Sequence, residues 1–280
     1  MLFKEEIKNQ IDLHKRVIQE QPILMLESAI LQHFEQVSSL YKKNPLLYKT
    51  IFKSYRFNLI SLIASEFYMN DEPAFSDIYT RFLPSNLMSK NSVSAFFSFL
   101  VVTGRLTISP HSKDKRKVAY VLTNKFKSEA FLLITTMTNP LCRVYNFPDI
   151  SRTSVNHFLN TFLSNFSKLI YADLFNFECV KHTDIFITKD AGHTILLNLY
   201  CNRKQHGRNT YKTLTVRELS AVCGVSRSHI KKILVNAGDF NLVSNPRAES
   251  NIILNPSFIT MVREYMIHYF SLCLIGLEES

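Results

Sequence analysis

Residues Thr215–Val235 read TVRELSAVCGVSRSHIKKILV, and the reading of this stretch decides the fold. A helix-turn-helix needs a small residue inside its first helix, glycine or a similar residue at the turn, and apolar residues that lock the two helices at a fixed angle. Ser220, Gly224 and Val225 meet the first two needs, and Leu219, Ile230 and Ile233 face inward. The second helix then turns Arg227, Ser228, Lys231 and Lys232 outward, with Ser226 as its N-cap and open to a phosphate.

Working outward, a helix with Ile195, Leu196 and Leu199 precedes this pair, and Leu242–Val243, a turn at Asn245-Pro246-Arg247 and Ile252–Leu254 follow it. The first half of the chain has the same order. Helices are expected around Leu59, Ile60, Ile63 and Phe67, around Phe75, Ile78, Tyr79 and Phe82, and around Val93, Phe96, Phe97 and Leu100. After Gly104, Leu106 and Ile108 form one strand and Val118, Tyr120 and Leu122 another, joined by the charged run His111–Lys117. Three helices and then a basic hairpin is the order of a winged helix, and here it occurs twice.

Both hairpins lead into long helices, at Thr123-Asn124-Lys125-Phe126 and at Asn255-Pro256-Ser257-Phe258, each expected to be amphipathic. Helical spacing also runs through Ile7, Ile11, Leu13, Val17 and Ile18, through Leu24, Ile30, Leu31, Phe34, Val37 and Leu40, and through Phe158, Phe162, Phe166, Leu169 and Ile170. A lone winged helix cannot bury such helices, whereas two units can share them in a bundle. The expected fold is therefore mainly α with small β-hairpin wings: two winged helix-turn-helix units joined by a shared helical bundle, pseudo-twofold. The expected divisions are 1–44 for the N-terminal bundle helices, 45–139 for the first unit with its trailing helix, 140–185 for connecting helices, and 186–280 for the second unit. Pro140 to Pro148 marks the boundary between halves.

Lys and Arg number 33 against 23 Asp and Glu, a formal charge of +10, which favours a polyanionic partner. Five cysteines, Cys142, Cys179, Cys201, Cys223 and Cys273, never form a C-x-x-C pair, so disulfide scaffolds and zinc ribbons are disfavoured. The N-terminus becomes charged at once and unbroken apolar runs such as Phe99–Val102 and Leu272–Ile275 are short, which points to a cytoplasmic chain without a membrane span. P-loop, G-x-S-x-G, H-E-x-x-H and G-x-G-x-x-G motifs are all absent, so the reading is not an enzyme and no cofactor is expected.

The stretch Phe75–Thr123 resembles the MarR family, through Gly104 at the corner after the third helix, Asp114-Lys115-Arg116 in the wing, and Val121-Leu122-Thr123 stepping into the final helix. The resemblance implies that Arg116 enters a minor groove and that Asp114 orients it by a salt bridge, with Lys115 beside them. The recognition face of this unit would comprise Ser89, Lys90, Asn91, Ser92 and Ser94. Two departures stand out. MarR proteins are about half this length and homodimeric, so this chain reads as a fused dimer, a monomer acting as a pseudo-dimer. The second unit also lacks the Asp-x-Arg element and offers Arg247 in its place.

Cys179-x-x-His182 with His193 and His206 lacks the paired ligands of a metal site, and no metal is expected. Cys223 fits a core position better than a redox trigger. Phe96, Phe97, Phe99, Phe158, Phe162 and Phe166 fit either a filled core or a cavity for the small aromatic or anionic effectors that MarR-like proteins bind. The expected partner is double-stranded DNA, read by two helices in adjacent major grooves with a basic wing in the minor groove, and the expected function is transcription regulation. Unlike recognition helices imply unlike half-sites about one helical turn apart. The alternative is a plasmid-type replication initiator with tandem winged helices, which would bind repeated sites in an origin. A winged-helix protein scaffold is disfavoured by Arg227, Lys231, Lys232 and the basic wing.

Overall fold

The computed structural model describes residues 2–82, 88–145, 147, 153–245 and 251–278. The protein is mainly helical with small antiparallel sheets. In the first half α1 (Leu2–Gln19), α2 (Ile23–Lys43), α3 (Pro45–Ile51), α4 (Ser54–Met69), α5 (Phe75–Phe82) and α6 (Lys90–Val102) lead into strands β1 (Leu106–Pro110) and β2 (Val118–Leu122) and then α7 (Asn124–Tyr145). The second half comprises α8 (Val155–Tyr171), α9 (Asp184–Ile187), α10 (Gly192–Cys201), β3 (Lys204–Gln205), β4 (Tyr211–Thr215), α11 (Val216–Cys223), α12 (Arg227–Asp239), β5 (Val243–Ser244), β6 (Asn251–Leu254) and α13 (Pro256–Leu277).

The two halves match in local detail from α6 and α12 onward. Ser89 caps α6 by accepting the Ser92 N–H at 3.3 Å, and Ser226 caps α12 by accepting that of His229 at 3.2 Å. At the same steps after these caps stand Val93, Phe96, Phe97 and Leu100, and Ile230, Ile233, Leu234 and Ala237, all buried. Gly104 and Asn241 then take φ of +72° and +56°, the left-handed conformation that glycine and asparagine tolerate best. The next N–H folds back on its helix, Arg105 to the Leu100 carbonyl at 2.8 Å and Leu242 to the Ala237 carbonyl at 3.0 Å, a Schellman closure. Last, Thr123 donates to the Arg105 carbonyl at 3.1 Å and Asn255 to the Leu242 carbonyl at 3.0 Å, where α7 and α13 begin.

The sheets share one plan at different sizes. In the second half the strand order is β3-β4-β6-β5, so the strand before α11 lies beside the return strand β6, and Leu254 faces Tyr211 on one side and Val243 on the other. In the first half β1 pairs with β2, and the position before α5 contributes a single bridge, Ala74 to Ala119, with the Tyr120 N–H donating to the Pro73 carbonyl at 3.1 Å. The sequence did not reveal β3 and β4, because Lys204–Thr215 lacks a clean alternation of apolar and polar residues; Thr213, buried in β4, is satisfied by donating to the Leu199 carbonyl at 3.0 Å.

Helix partners also pair off. The helix α2 packs along α7 and against α10, whereas α8 packs along α13 and against α4, so each long helix serves its own half and braces the other. Glu27 of α2 secures one crossing, accepting from Tyr200 at 2.6 Å, from Arg203 at 2.7 Å and from Arg263 at 2.8 Å. The helix α13 is amphipathic in its first half, where Ser257, Thr260 and Glu264 are exposed, and buried on every side from His268 to Leu277. By length and composition it is apolar enough to cross a membrane, and 78% of its most apolar window is buried inside the protein. It touches α1, α7 and α8, and a stretch covered on several sides has no face to keep polar. A Cβ added to Gly276 in α13 would lie 2.4 Å from the Phe162 ring. Gly276→Ala is expected to destabilise the protein by about 1–3 kcal/mol in chemical denaturation through overpacking; unchanged stability would show that α8 and α13 are not seated this closely.

The expected boundary at Pro140 falls inside α7, which continues to Tyr145. A proline in a helix leaves the carbonyl four residues earlier without its donor, here Thr136. His33 of α2 fills the place, its Nδ1 lying 2.7 Å from the Thr136 oxygen. A carbonyl only accepts, so the His33 proton is on Nδ1 and its Nε2 accepts from His193 Nε2 at 3.1 Å. His193 Nδ1 then accepts the Tyr265 hydroxyl at 2.8 Å. Four helices, α13, α10, α2 and α7, are thus joined by a buried line of donors in which both imidazoles are neutral.

Burial lowers the His33 pKa to about 4, against an upward pull from the Thr136 bond, and burial drives His193 well down. Unfolded histidines bind protons near pH 6.5. Stability is therefore complete above that value and is lost as pH falls from 6.5 through 4, because the unfolded chain takes up protons that the folded one refuses. Chemical denaturation at pH 7 and pH 4.5 is expected to differ by at least about 2 kcal/mol, and His33→Leu should flatten that dependence. A wild-type stability that is level across this window would contradict the neutral chain.

Candidate nucleic-acid interface

The second helix pair is held by local chemistry. Thr215 and Glu218 form a capping box at the start of α11, the Thr215 hydroxyl accepting the Glu218 N–H at 3.2 Å while the Glu218 carboxylate accepts the Thr215 N–H at 2.8 Å. Gly224 ends α11 at φ +59°, and Ser220 donates to the Val225 carbonyl at 2.6 Å across the turn. Behind the turn Tyr41 donates to the Cys223 carbonyl at 2.6 Å and Lys49 to the Gly224 carbonyl at 2.9 Å. These bonds fix α12 with Ser226, Arg227, Ser228, Lys231 and Lys232 exposed.

In the first unit the segment between α5 and α6 lies partly outside the described residues, and α6 itself exposes Lys90, Asn91, Ser92, Ala95, Ser98 and Val102. Ser89 is exposed as the cap. Ser94 is half-buried and its hydroxyl is bonded to that of Tyr79, which also donates to the Lys90 carbonyl at 3.0 Å. Ala95 and Ser98 were not singled out from the sequence, since neither carries a polar signal strong enough to distinguish it from packing.

The hairpin between β1 and β2 is anchored at its base. Glu72 accepts the Ser112 N–H at 2.7 Å and the Ser112 hydroxyl, and Lys117 lies 3.3 Å from Asp77. At the tip Asp114 Oδ1 accepts from Arg116 Nε at 3.0 Å and Oδ2 from Nη2 at 3.2 Å, a bidentate pair in which Arg116 is 91% exposed. The Arg116 hydrogen bonds hold the Asp114 carboxyl below its ordinary range. Lys113 and Lys115 flank the pair and are also exposed, so the tip presents three cations. Arg247 lies outside the described residues.

Between the two helix pairs runs a basic segment that local sequence patterns do not reveal, because its neighbours are far away in the chain. Lys53 and Arg56 reach Asp190 at 3.5 and 3.3 Å, and the Asp190 carbonyl accepts from His229 of α12 at 3.2 Å. On its other side Thr50, Tyr55 and Arg56 line an open groove of about 490 Å³ with Ser89, Ser92 and Phe96 at the start of α6. The corner between α3 and α4 therefore shares a groove with the start of α6 and is linked to α12 through Asp190.

Other candidates resolve differently. Among the described residues no three His, Cys, Asp or Glu side chains cluster as metal ligands. His193 belongs to the buried donor line, and the His182 ring lies 4.3 Å from that of Phe240. A small apolar cleft of about 70 Å³ lies among α3, α4, α7 and α8, with Phe126, Phe162, Phe166 and Met137 on its walls. Buried Arg105 lines it too, paired with Glu129 at 2.7 and 2.8 Å. Of the six phenylalanines considered for a cavity, Phe162 and Phe166 line this cleft.

No protein-family model, curated protein or solved structure matches the chain.

Cys223 is buried behind the α11 turn, and burial pushes its thiol up to about 12. Thiolates rather than thiols react, so a maleimide applied to the native protein at neutral pH is expected to leave Cys223 unmodified. Peptide mapping checks this, and rapid labelling of Cys223 before unfolding would show that the turn opens.

Proposed function

We propose that the protein is a sequence-specific double-stranded DNA-binding transcription regulator in which one chain carries two winged helix-turn-helix units of the MarR type, arranged about a pseudo-twofold axis through the shared bundle. The observation that carries this reading is the repeated device: a serine-capped helix with one face buried and the other exposed, a left-handed closure, and a hairpin whose return strand pairs with the residue or strand before the preceding short helix. That topology serves to present a helix to a major groove and a hairpin to the adjacent backbone or minor groove. The reciprocal bracing of α2 on α10 and α8 on α4 supports the pseudo-twofold relation.

In this reading Arg227 and Ser228 approach base edges, Lys231 and Lys232 neutralise phosphates, and the serine caps offer backbone N–H groups to phosphate oxygens. Arg116 inserts at the other end of the site, aimed by Asp114, and a narrow minor groove attracts it electrostatically. The cleft beside Arg105 and Glu129 is where a small apolar effector would act, since it lies between the first unit and the bundle.

Fluorescence anisotropy with duplex DNA from upstream of the coding sequence, with salt varied, tests the proposal. Affinity is expected to fall steeply with salt because bound cations release counterions. Arg227→Ala is expected to cost about 1–3 kcal/mol for the preferred duplex, and Lys232→Ala to weaken all duplexes and lower the salt slope by about one. Binding that is absent, or indifferent to Arg116→Ala and Arg227→Ala alike, would overturn it.

A further inference from the structure

Aligning α6 and α12 on their serine caps places Lys90 opposite Arg227, Asn91 opposite Ser228, Ser94 opposite Lys231 and Ala95 opposite Lys232. The buried faces are equivalent, whereas the exposed faces differ in kind. Over its first turns α12 exposes three cations, Arg227, Lys231 and Lys232. The same stretch of α6 holds one, Lys90, whose ammonium stands 5.7 Å over the Tyr79 ring. Ser94 is turned to Tyr79, so the outward groups near the start of α6 are the Lys90 ammonium, the Asn91 amide, the Ser92 hydroxyl and the Ala95 methyl.

Base edges sort these two faces. Guanine offers two acceptors in the major groove, which a guanidinium or ammonium satisfies. Adenine offers a donor beside an acceptor, which a carboxamide matches, and thymine offers a methyl group, which meets an apolar side chain. The α6 face, with one cation beside an amide and a methyl, matches adenine and thymine best, whereas the α12 face, with three cations, matches guanine best. The Arg116 tip belongs to the same unit as α6, and A-tracts have the narrow, strongly negative minor groove that favours an inserted arginine.

Resting on the regulator reading above, we infer that the protein recognises a composite site: an A·T-rich half read by Asn91 and Ala95 of α6 with Arg116 in the flanking minor groove, and a half containing G·C pairs read by Arg227 of α12. The two halves are chemically distinct, and the chain has one orientation on its site.

Selection of duplexes bound by the full chain from a random pool, repeated with Arg227→Ala and Asn91→Ala, tests this. The wild-type pool is expected to converge on one A·T-rich and one guanine-containing half. Arg227→Ala should weaken the selected duplex about 10- to 100-fold and erase the preference for guanine in its half alone, and Asn91→Ala should erase adenine in the other half alone. Two halves of the same composition, or a variant that changes the half assigned to the other helix, would overturn the inference. Retention of duplexes with a steep salt dependence but no base preference would overturn it while leaving DNA binding in place. Failure to retain any duplex would remove both.

Discussion

The carbonyl of Thr136, left without a helical donor by Pro140, is the point about which the two halves are fastened. His33 satisfies it, His193 satisfies His33, and Tyr265 satisfies His193, so one missing backbone hydrogen is met by a line of donors that crosses the interior. A buried polar group without a partner is costly, and removing one member of such a line strands the next. The line also bridges α2, α7, α10 and α13, and its directional bonds add to what apolar packing alone specifies. Direction along the line is fixed by the Thr136 oxygen, which has no proton to give.

Much of the fold is written in periodicity. The buried positions of α6 and α12, the caps at Ser89 and Ser226 and the turn at Gly224 follow from local rules that act within a few residues. What local rules did not reveal has a common cause. Strands β3 and β4 depend on partners distant in the chain. The helix continues through Pro140 because a distant histidine replaces its lost bond, and the second half of α13 has no polar face because other helices cover its sides. Asn241 stands where the first half has Gly104, and a sequence search for glycine at that corner passes over it.

The candidate interface divides along the same line. Exposure of Arg227, Lys231 and Lys232 follows from spacing alone, since a residue opposite a buried stripe faces solvent. The commitment of Ser94 to Tyr79 and the approach of Lys49, Lys53 and Arg56 to the second helix pair are tertiary facts with no local signature. They matter because they separate a shared scaffold from two unlike exposed faces: the apolar stripe repeats and the outward residues do not.

The reciprocal bracing of α2 on α10 and α8 on α4 is made within one polypeptide. In a homodimer the equivalent contacts depend on protein concentration, whereas a tethered contact forms at an effective concentration in the millimolar range or above. Dilution therefore does not part these two halves, and assembly through this surface is first order in chain. A chain that braces its own halves in this way needs no second copy to complete these contacts.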